Sequence, residues 1–326
     1  MKIAFFFPGQ GAQFVGMGRD LYDYSAEVRH MFEAGSDAGK LDLAALIFSG
    51  SEEHLRQTDN TQIAITLVNL AARQVLKEFG IESACTAGFS LGEYAALVDA
   101  GVITKDDAFT LVLQRGQIME RASRRLDDEN GAAGMMALMG QDLADVRQII
   151  EEQGMQDIYP SLYNSPIQTV VGGTATSLQQ GAETFKAAGV RKTIPLKVSG
   201  PFHTPLMAEA HRDFGAVLQR IPFNDPAKPV FSNVSATTVS TGVEAQQLAQ
   251  EQLITTVLWA QEERAVLETG VDMVLEVGPG SVLQGLWNAV AKTDDSWPVE
   301  RFRTAGTLSD IEAVAREIEE MRSTHG

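Results

Sequence analysis

The segment that most constrains the fold is GFSLG at residues 88–92, in which Ser90 stands between two glycines. Residues 84–88 are small and predict a strand, and residues 91–100 predict a short helix that ends at Gly101. Glycines on both sides of a serine let a strand and a helix close around a tight turn that exposes the side chain. The pattern therefore predicts a nucleophile elbow, although a chain with 29 glycines also contains such spacings by chance.

Strands and helices alternate through most of the chain, which favours an α/β fold with a mainly parallel sheet. Residues 3–7 form an apolar run that ends in a Pro-Gly turn, and residues 61–79 have helical periodicity. Two later strands are predicted at 230–234 and 273–277. Near the C-terminus, residues 309–321 predict an acidic surface helix.

The middle of the chain departs from this alternation after a polar break at residues 127–131. The predicted order there is strand, helix, strand, strand, helix, strand, which is typical of a ferredoxin-like unit. These elements lie at 135–139, 143–153, 158–163, 169–172, 177–188 and 192–197. We therefore predict a core domain of residues 1–127 and 199–326, interrupted by a ferredoxin-like subdomain at 128–198.

The composition is that of an ordinary globular protein, because 326 residues with 44% hydrophobic content can bury a sizeable core. A formal net charge of −17 argues against a nucleic-acid partner, since phosphate binding requires a basic surface. No apolar stretch reaches membrane-spanning length, and the first apolar run is too short for a secretory signal. We expect a cytoplasmic monomer without a membrane partner.

Cysteine and histidine usage predicts neither a metal site nor a resident cofactor. Cys85 is the only cysteine, which excludes an internal disulfide, and the histidines are scattered, whereas metal ligands usually come in close groups. The histidines are His30, His54, His203, His211 and His325.

A serine nucleophile needs a base, and His203 is the best candidate. It lies in the loop SGPFHTP, where a predicted strand ends and a helix begins, and active-site residues of α/β proteins gather at such places. A loop histidine that only bonds to backbone is an equally good interpretation of the spacing.

An arginine belongs to the apolar face of the helix that Thr104 caps. Arg115 shares that face with Ala108, Leu111, Val112, Met119 and Ala122. Burying an unpaired guanidinium is costly, so Arg115 must meet a carboxylate. The spacing leaves open whether an Asp or Glu of the protein or a ligand supplies it.

Two stretches of backbone could supply N–H groups to an oxyanion. The helix that begins at the serine has free N–H groups in its first turn, which suit an oxyanion. The turn PGQG at residues 8–11 has glycines on both sides of Gln10, which lets backbone approach a ligand closely. Taken alone, it is only a turn after a strand.

Six segments, one of which contains the serine turn, are together more specific than that turn alone. They are FPGQGAQFVGMG (7–18), GFSLGEYAAL (88–97), QRGQIME (114–120), NSPIQTVVGG (164–173), VSGPFHTPLM (198–207) and LEVGPGSVLQGL (275–286). In order and spacing, the chain resembles the malonyl-CoA:acyl carrier protein transacylases over roughly residues 1–290. These are stand-alone relatives of the acyltransferase domains of fatty acid and polyketide synthases. The resemblance implies an α/β-hydrolase-like core with a ferredoxin-like subdomain.

The resemblance also implies roles for individual residues. Ser90 would be the nucleophile, His203 its base and Arg115 the clamp for the free carboxylate of malonyl, with the backbone N–H groups of Gln10 and Leu91 as the oxyanion hole. The implied reaction is ping-pong. The malonyl group passes from malonyl-CoA to an ester on Ser90, and then to the phosphopantetheine thiol of acyl carrier protein.

Further substrate contacts are implied at four positions: Phe89, Asn164, Phe202 and Leu258. Phe89 and Leu258 depart from the family, which usually has His beside the nucleophile and Gln before a tryptophan. In the family, a backbone carbonyl orients the base and is expected from the residue before the tryptophan. Leu258 occupies that position and could still supply the carbonyl. The bulky Phe202 is similar to the malonyl-preferring pattern and predicts discrimination against methylmalonyl, by about 1 to 3 kcal/mol.

Two other functions remain open from the sequence. A serine hydrolase or thioesterase acting on acyl-CoA or acyl-carrier thioesters would use the same elbow with water as acceptor, and Asp157 is an available acid. A non-catalytic docking module would keep the fold without the chemistry. An acidic carrier protein requires a local basic rim, for which the candidates are Arg121, Arg124, Arg125, Arg191, Lys192 and Lys197.

Overall fold

The computed structural model describes residues 1–324, and His325 and Gly326 lie outside the described residues. The strands are β1 (Ile3–Phe7), β2 (Cys85–Gly88), β3 (Gly134–Met139), β4 (Ile158–Ser165), β5 (Gln168–Gly173), β6 (Lys192–Pro195), β7 (Met273–Glu276) and β8 (Phe302–Thr304). They form two separate sheets of four strands each.

The helices are α1 (Arg19–Tyr24), α2 (Ala26–Gly39), α3 (Leu43–Ser49), α4 (Glu52–Leu55), α5 (Thr58–Glu78), α6 (Glu93–Asp99), α7 (Lys105–Arg124), α8 (Leu143–Glu152), α9 (Ala175–Ala187), α10 (Ala208–Leu218), α11 (Gly242–Glu251), α12 (Trp259–Glu268), α13 (Val282–Ala291) and α14 (Leu308–Thr324). Short 3₁₀ turns lie at Ser90–Gly92, Pro205–Met207 and Val299–Arg301. None of the helices in residues 1–324 combines the length and the apolar character needed to cross a membrane.

The first sheet is parallel and has the strand order β2-β1-β7-β8. Its central strand, β1, is buried along its whole length, as the continuous apolar run IAFFF requires of a strand covered on both faces. The carboxyl ends of β1 and β2 lie side by side, with Phe7 paired to Gly88. The Pro-Gly turn and the GFSLG turn therefore begin at the same edge of this sheet.

The second sheet is antiparallel and has the order β4-β5-β3-β6. Its strands and the helices α8 and α9 follow one another in the predicted order, strand, helix, strand, strand, helix, strand. Side chains alternate between two faces, because successive residues of a strand point in opposite directions. Met136 and Leu138 pack with Phe185 in a small separate core, whereas Met135 and Ala137 join the main core.

Two predicted elements differ from the structure. Residues 230–234 form two isolated bridges instead of a strand, a parallel one from Val230 to Thr86 and an antiparallel one from Phe231 to Thr238. The reason is that the chain turns at once, and the amide of Ala236 bonds back to the carbonyl of Ser232. The C-terminal helix is more than a surface helix, since its residues Ile311, Val314 and Ile318 are buried in the main core.

Candidate active site

Ser90 lies where β2 turns into the 3₁₀ turn that precedes α6, and its backbone has a left-handed φ of 51°. The glycines make this turn possible. A Cβ on Gly88 would lie 2.1 Å from the carbonyl carbon of Gly92, and a Cβ on Gly92 would lie 2.0 Å from the carbonyl oxygen of Phe7. Both positions exclude every larger residue, which is the structural reason for the GFSLG spacing.

The turn after β1 lies against this elbow. A Cβ on Gly9 would come within 2.3 Å of the carbonyl oxygen of Phe89, so the two backbones are in close contact. The side-chain amide of Asn69 donates to the carbonyl of Pro8 at 2.9 Å and fixes the turn from the opposite side. Gln10 is thereby brought to the wall of the cavity that contains Ser90.

His203 is brought to Ser90 by the loop before α10. Its Nε2 lies 2.7 Å from Ser90 Oγ, and its Nδ1 lies 2.7 Å from the carbonyl oxygen of Gln252. Because that carbonyl can only accept, Nδ1 carries the proton and Nε2 is free to take one from the serine. The pKa of His203 is lowered to about 3, first by burial and then by the positive charge of Arg115.

The carbonyl that orients His203 is not the one expected from the sequence. The carbonyl of Leu258 instead accepts from the backbone N–H groups of Gln261 and Glu262 in the first turn of α12. The side chain of Leu258 packs with Tyr163, away from the serine. Gln252 caps the C-terminal end of α11, where helix carbonyls lack intrahelical partners. The assignment of the orienting carbonyl to Leu258 is therefore wrong.

Arg115 is buried in α7, with 1% of its surface exposed, as its place on the apolar face predicts. Its Nη1 donates to Gln62 Oε1 and its Nη2 donates to Gln252 Oε1, both at 2.9 Å. Within residues 1–324, the guanidinium has no carboxylate in an ion pair, and its Nε has no hydrogen-bond partner. Burial lowers the pKa of Arg115, so a carboxylate from a ligand would stabilise its charge.

Ser90, His203 and Arg115 face one cavity of about 80 Å³, and Gln10 also lines it. Its remaining walls are apolar and comprise Phe89, Met119, Met135, Leu162, Leu196, Val198 and Phe202. A wide groove of about 890 Å³ adjoins it, because Gln10 and Val198 line both. Such a site, with one arginine and largely apolar walls beside the serine and the histidine, suits a small acyl group that ends in a carboxylate.

The predicted substrate contacts divide into two groups. Phe89 and Phe202 line the cavity, and the ring of Phe89 meets Trp259 edge-on with 5.4 Å between centroids. Asn164 and Leu258 lie outside the lining of this cavity. Asn164 is on β4, and its side-chain amide donates to Gln168.

A buried polar network beneath the elbow is absent from the sequence-based prediction. Asn233 Oδ1 accepts from the backbone N–H of Ser90 at 2.7 Å, and its Nδ2 donates to the carbonyl of Gly88 and to Glu262 Oε1, also at 2.7 Å. Glu93 Oε2 accepts from Gln252 Nε2 at 2.5 Å. Burial raises the pKa of Glu93 to about 7 and that of Glu262 well above its usual range.

The six candidate cations of the basic rim also divide into two groups. Those on or next to α7 pair with carboxylates, Arg121 with Asp213, Arg124 with Glu120 and Arg125 with Glu209. The other three, Arg191, Lys192 and Lys197, lie on or beside β6, and Lys197 lines the wide groove. In the described part of the chain, no group of three or more His, Cys, Asp or Glu residues could hold a metal ion.

Comparisons with known proteins agree with this geometry. A family model described as an acyl transferase domain matches residues 4–321. Malonyl CoA-acyl carrier protein transacylase of Bacillus subtilis strain 168 is 38% identical over 288 residues, which cover 87% of this chain and 89% of that protein.

Solved structures give the same result. The crystal structure of malonyl CoA-acyl carrier protein transacylase from Clostridium perfringens has a TM-score of 0.90 at 32% identity, with 100% of this chain and 99% of that chain covered. A type II PKS acyl-carrier protein in complex with its malonyl-transacylase provides another match, with a TM-score of 0.87, 32% identity and coverage of 97% and 100%.

Proposed function

Because the chain belongs to the acyl transferase domain family, we propose that it transfers a malonyl group from malonyl-CoA to the phosphopantetheine thiol of acyl carrier protein through a malonyl ester on Ser90. One observation carries the assignment of residues: Ser90 Oγ lies 2.7 Å from His203 Nε2 in the cavity that Arg115 also faces. That arrangement supplies a nucleophile, a base and a cation for the malonyl carboxylate.

The first half of the reaction acylates the serine. His203 Nε2 takes the proton of the Ser90 hydroxyl while Oγ attacks the thioester carbonyl, and the backbone N–H groups of Gln10 and Leu91 stabilise the oxyanion. The intermediate collapses, the carbon–sulfur bond breaks, and His203 returns the proton to the departing CoA thiolate. In the second half, the carrier thiol gives its proton to His203 and attacks the ester carbonyl. The carbon–oxygen bond to Ser90 then breaks, and His203 returns the proton to Ser90 Oγ, which leaves the malonyl group on the carrier thiol.

Substrate binding also strengthens the base. The charge of Arg115 is the second cause of the low pKa of His203, after burial. A malonyl carboxylate paired with Arg115 offsets that charge, so the pKa of His203 rises when this substrate is bound. Acyl groups without a carboxylate lack both the ion pair and this activation.

The hydrolase alternative fits the site less well. The acid it would use, Asp157, lies just before β4, and its carbonyl accepts from Ser177. The ring nitrogen that such an acid would orient is bonded to the carbonyl of Gln252 instead.

We further propose a hydrolase-like core of residues 1–127 and 199–326 and a ferredoxin-like subdomain at 128–198. The antiparallel order β4-β5-β3-β6 and the small separate core of the second sheet support this division. A cytoplasmic monomer that needs no bound cofactor remains our expectation, and the buried Cys85 thiol is compatible with a reducing compartment.

Intact-mass measurement after mixing with malonyl-CoA tests the function. A malonyl increment that is lost in Ser90→Ala and passes to holo acyl carrier protein is expected. Free malonate without accumulation would support the hydrolase, and no reaction would support a docking module.

We propose that the carrier docks at Arg191, Lys192 and Lys197. The arginines near the end of α7 are engaged with carboxylates, so they offer less attraction to an acidic partner. Charge reversal of Arg191 and Lys192 should lower the rate of malonyl transfer to the carrier, with a stronger effect at low salt, and leave acylation by malonyl-CoA intact. Equal effects from reversing Arg124 and Arg125 would contradict this choice.

A further inference from the structure

One buried residue, Gln252, is bonded to Ser90, His203 and Arg115. Gln252 orients His203 through its backbone carbonyl, at 2.7 Å from Nδ1. Its side-chain Oε1 accepts from Arg115 Nη2 at 2.9 Å, and its Nε2 donates to the backbone carbonyl of Ser90 at 3.1 Å. No other residue that bonds to Arg115 in the described chain also bonds to Ser90 and His203.

The amide of Gln252 can adopt only one orientation. Its Nε2 faces three oxygen acceptors, those of Ser90, Glu93 and Asn233, at 3.1, 2.5 and 3.2 Å. A flipped amide would place Oε1 against the carboxylate of Glu93 and the NH₂ group against the guanidinium of Arg115. Both contacts would be repulsive, so the network fixes oxygen toward arginine and nitrogen toward serine.

We propose that Gln252 is a positioning residue of the transfer reaction, because its side chain ties the strained serine backbone to the arginine while its backbone carbonyl holds the histidine ring. This role rests on the function proposed above and adds to it. The cation that binds the acyl carboxylate comes from α7, whereas the oxygen that is acylated comes from the turn between β2 and α6. Gln252 sets the distance between them, so it acts on the acylation step as well as on binding.

Gln62 provides a matched comparison. It is fully buried, and its Oε1 accepts from Arg115 Nη1 at the same 2.9 Å. Its Nε2 contacts only the sulfur of Met119, at 3.7 Å, so it supports the arginine without a bond to the serine or the histidine. A change at Gln62 therefore tests the arginine contact alone.

The experiment compares Gln252→Met with Gln62→Met in single-turnover acylation of Ser90, followed by intact mass over a range of malonyl-CoA concentrations. The rate constant for labelling does not depend on the fraction of folded protein. Loss of a hydrogen bond to a charged group predicts that either variant requires roughly 10- to 100-fold more malonyl-CoA for half-maximal rate. Only Gln252→Met should also lower the rate at saturation, by roughly tenfold or more.

A second pair of variants tests the direction of the effect. Gln252→Glu and Gln62→Glu each place a carboxylate against Arg115, which competes with the malonyl carboxylate. In both, the ratio of acylation rates for malonyl-CoA and acetyl-CoA should fall by roughly tenfold or more. Gln252→Glu should additionally slow acylation by acetyl-CoA, because its carboxylate cannot donate to the serine carbonyl.

The outcomes separate the two proposals. A wild-type protein that malonyl-CoA does not acylate would refute the proposed function. If the wild type is acylated but Gln252→Met and Gln62→Met slow the saturated rate equally, or neither slows it, the positioning role is refuted. A slower saturated rate in Gln252→Met alone supports it.

Discussion

The acylation rate should not fall between pH 8 and pH 5 through protonation of His203, whereas a catalytic histidine with an ordinary pKa of about 6.5 would lose its activity as a base in this range. A base must be neutral to accept the serine proton, and kcat/KM reports the ionisation of the free enzyme. His203 is 3% exposed, and its pKa is about 3, because burial and the charge of Arg115 both disfavour the cation. We therefore expect no acid limb from this residue above about pH 4.

The magnitude follows from the two pKa values. At pH 5, a histidine with the ordinary pKa of about 6.5 would be only about 3% neutral, and the rate would fall roughly 30-fold from its value at pH 8. With a pKa of about 3, His203 is about 99% neutral at pH 5. The difference between these outcomes is far larger than the error of a rate measurement.

Glu93 titrates in the same range and requires a control. The pKa of this buried carboxyl is raised to about 7, and Gln252 links it to Arg115. Its protonation below pH 7 removes a negative charge near the arginine, so attraction for the malonyl carboxylate should increase slightly toward acid pH. This change is opposite in sign to the loss that a protonated histidine would cause.

The assay is single-turnover acylation by malonyl-CoA below saturation, from pH 8 to pH 5, in the wild type and in Glu93→Gln. We expect at most a shallow inflection near pH 7 that Glu93→Gln removes, and no fall with an apparent pKa near 6.5. A roughly 30-fold loss at pH 5 that persists in Glu93→Gln would refute the argument that burial and Arg115 keep His203 neutral.

Three further predictions concern the elbow, the core and the acyl pocket. Gly92→Ala should destabilise the fold by about 1–3 kcal/mol in urea unfolding and slow acylation, because its Cβ would overlap the carbonyl of Phe7, whereas Gly285→Ala has open space and should do neither. Burial raises the pKa of Glu263 from 4.5 to about 8. The contribution of protonated Glu263 to the free energy of unfolding is therefore complete below pH 4.5 and is lost as pH rises toward 8. Glu263→Gln should flatten this pH dependence of the unfolding free energy, and an unchanged slope would contradict the role given to Glu263. Phe202→Ala should raise acylation by methylmalonyl-CoA relative to malonyl-CoA by roughly tenfold or more, and equal rates in the wild type would count against a steric role.

The sequence identified those parts of the site that have a local physical signature. The elbow at Ser90 needs glycine at positions 88 and 92 because backbone atoms occupy the space that a Cβ would take there. This requirement is visible within the five consecutive residues 88–92. Arg115 was recognisable as a functional candidate because the helical period places it on the apolar face of its helix, where burying an unpaired charge is costly. The second sheet was predicted from the order of its elements, since strand and helix periods differ.

Other parts had no local signature. Gln252 lies at the end of a polar helix, where nothing in the sequence marks its carbonyl as the partner of His203, and the contact was expected at Leu258. Asn233 lies in a turn that resembled a strand because the apolar residues Val230, Phe231 and Val234 lie close to it in sequence.

The sequence by itself determined the nucleophile turn, the buried arginine and the alternation of strands and helices, because each depends on neighbours within a few residues. Only the tertiary structure decided which carbonyl orients the base, which side chains hold the arginine and which cations are already paired. His203 and Gln252 are 49 positions apart and Arg115 and Gln252 are 137 apart, so these contacts exist only after the chain has folded.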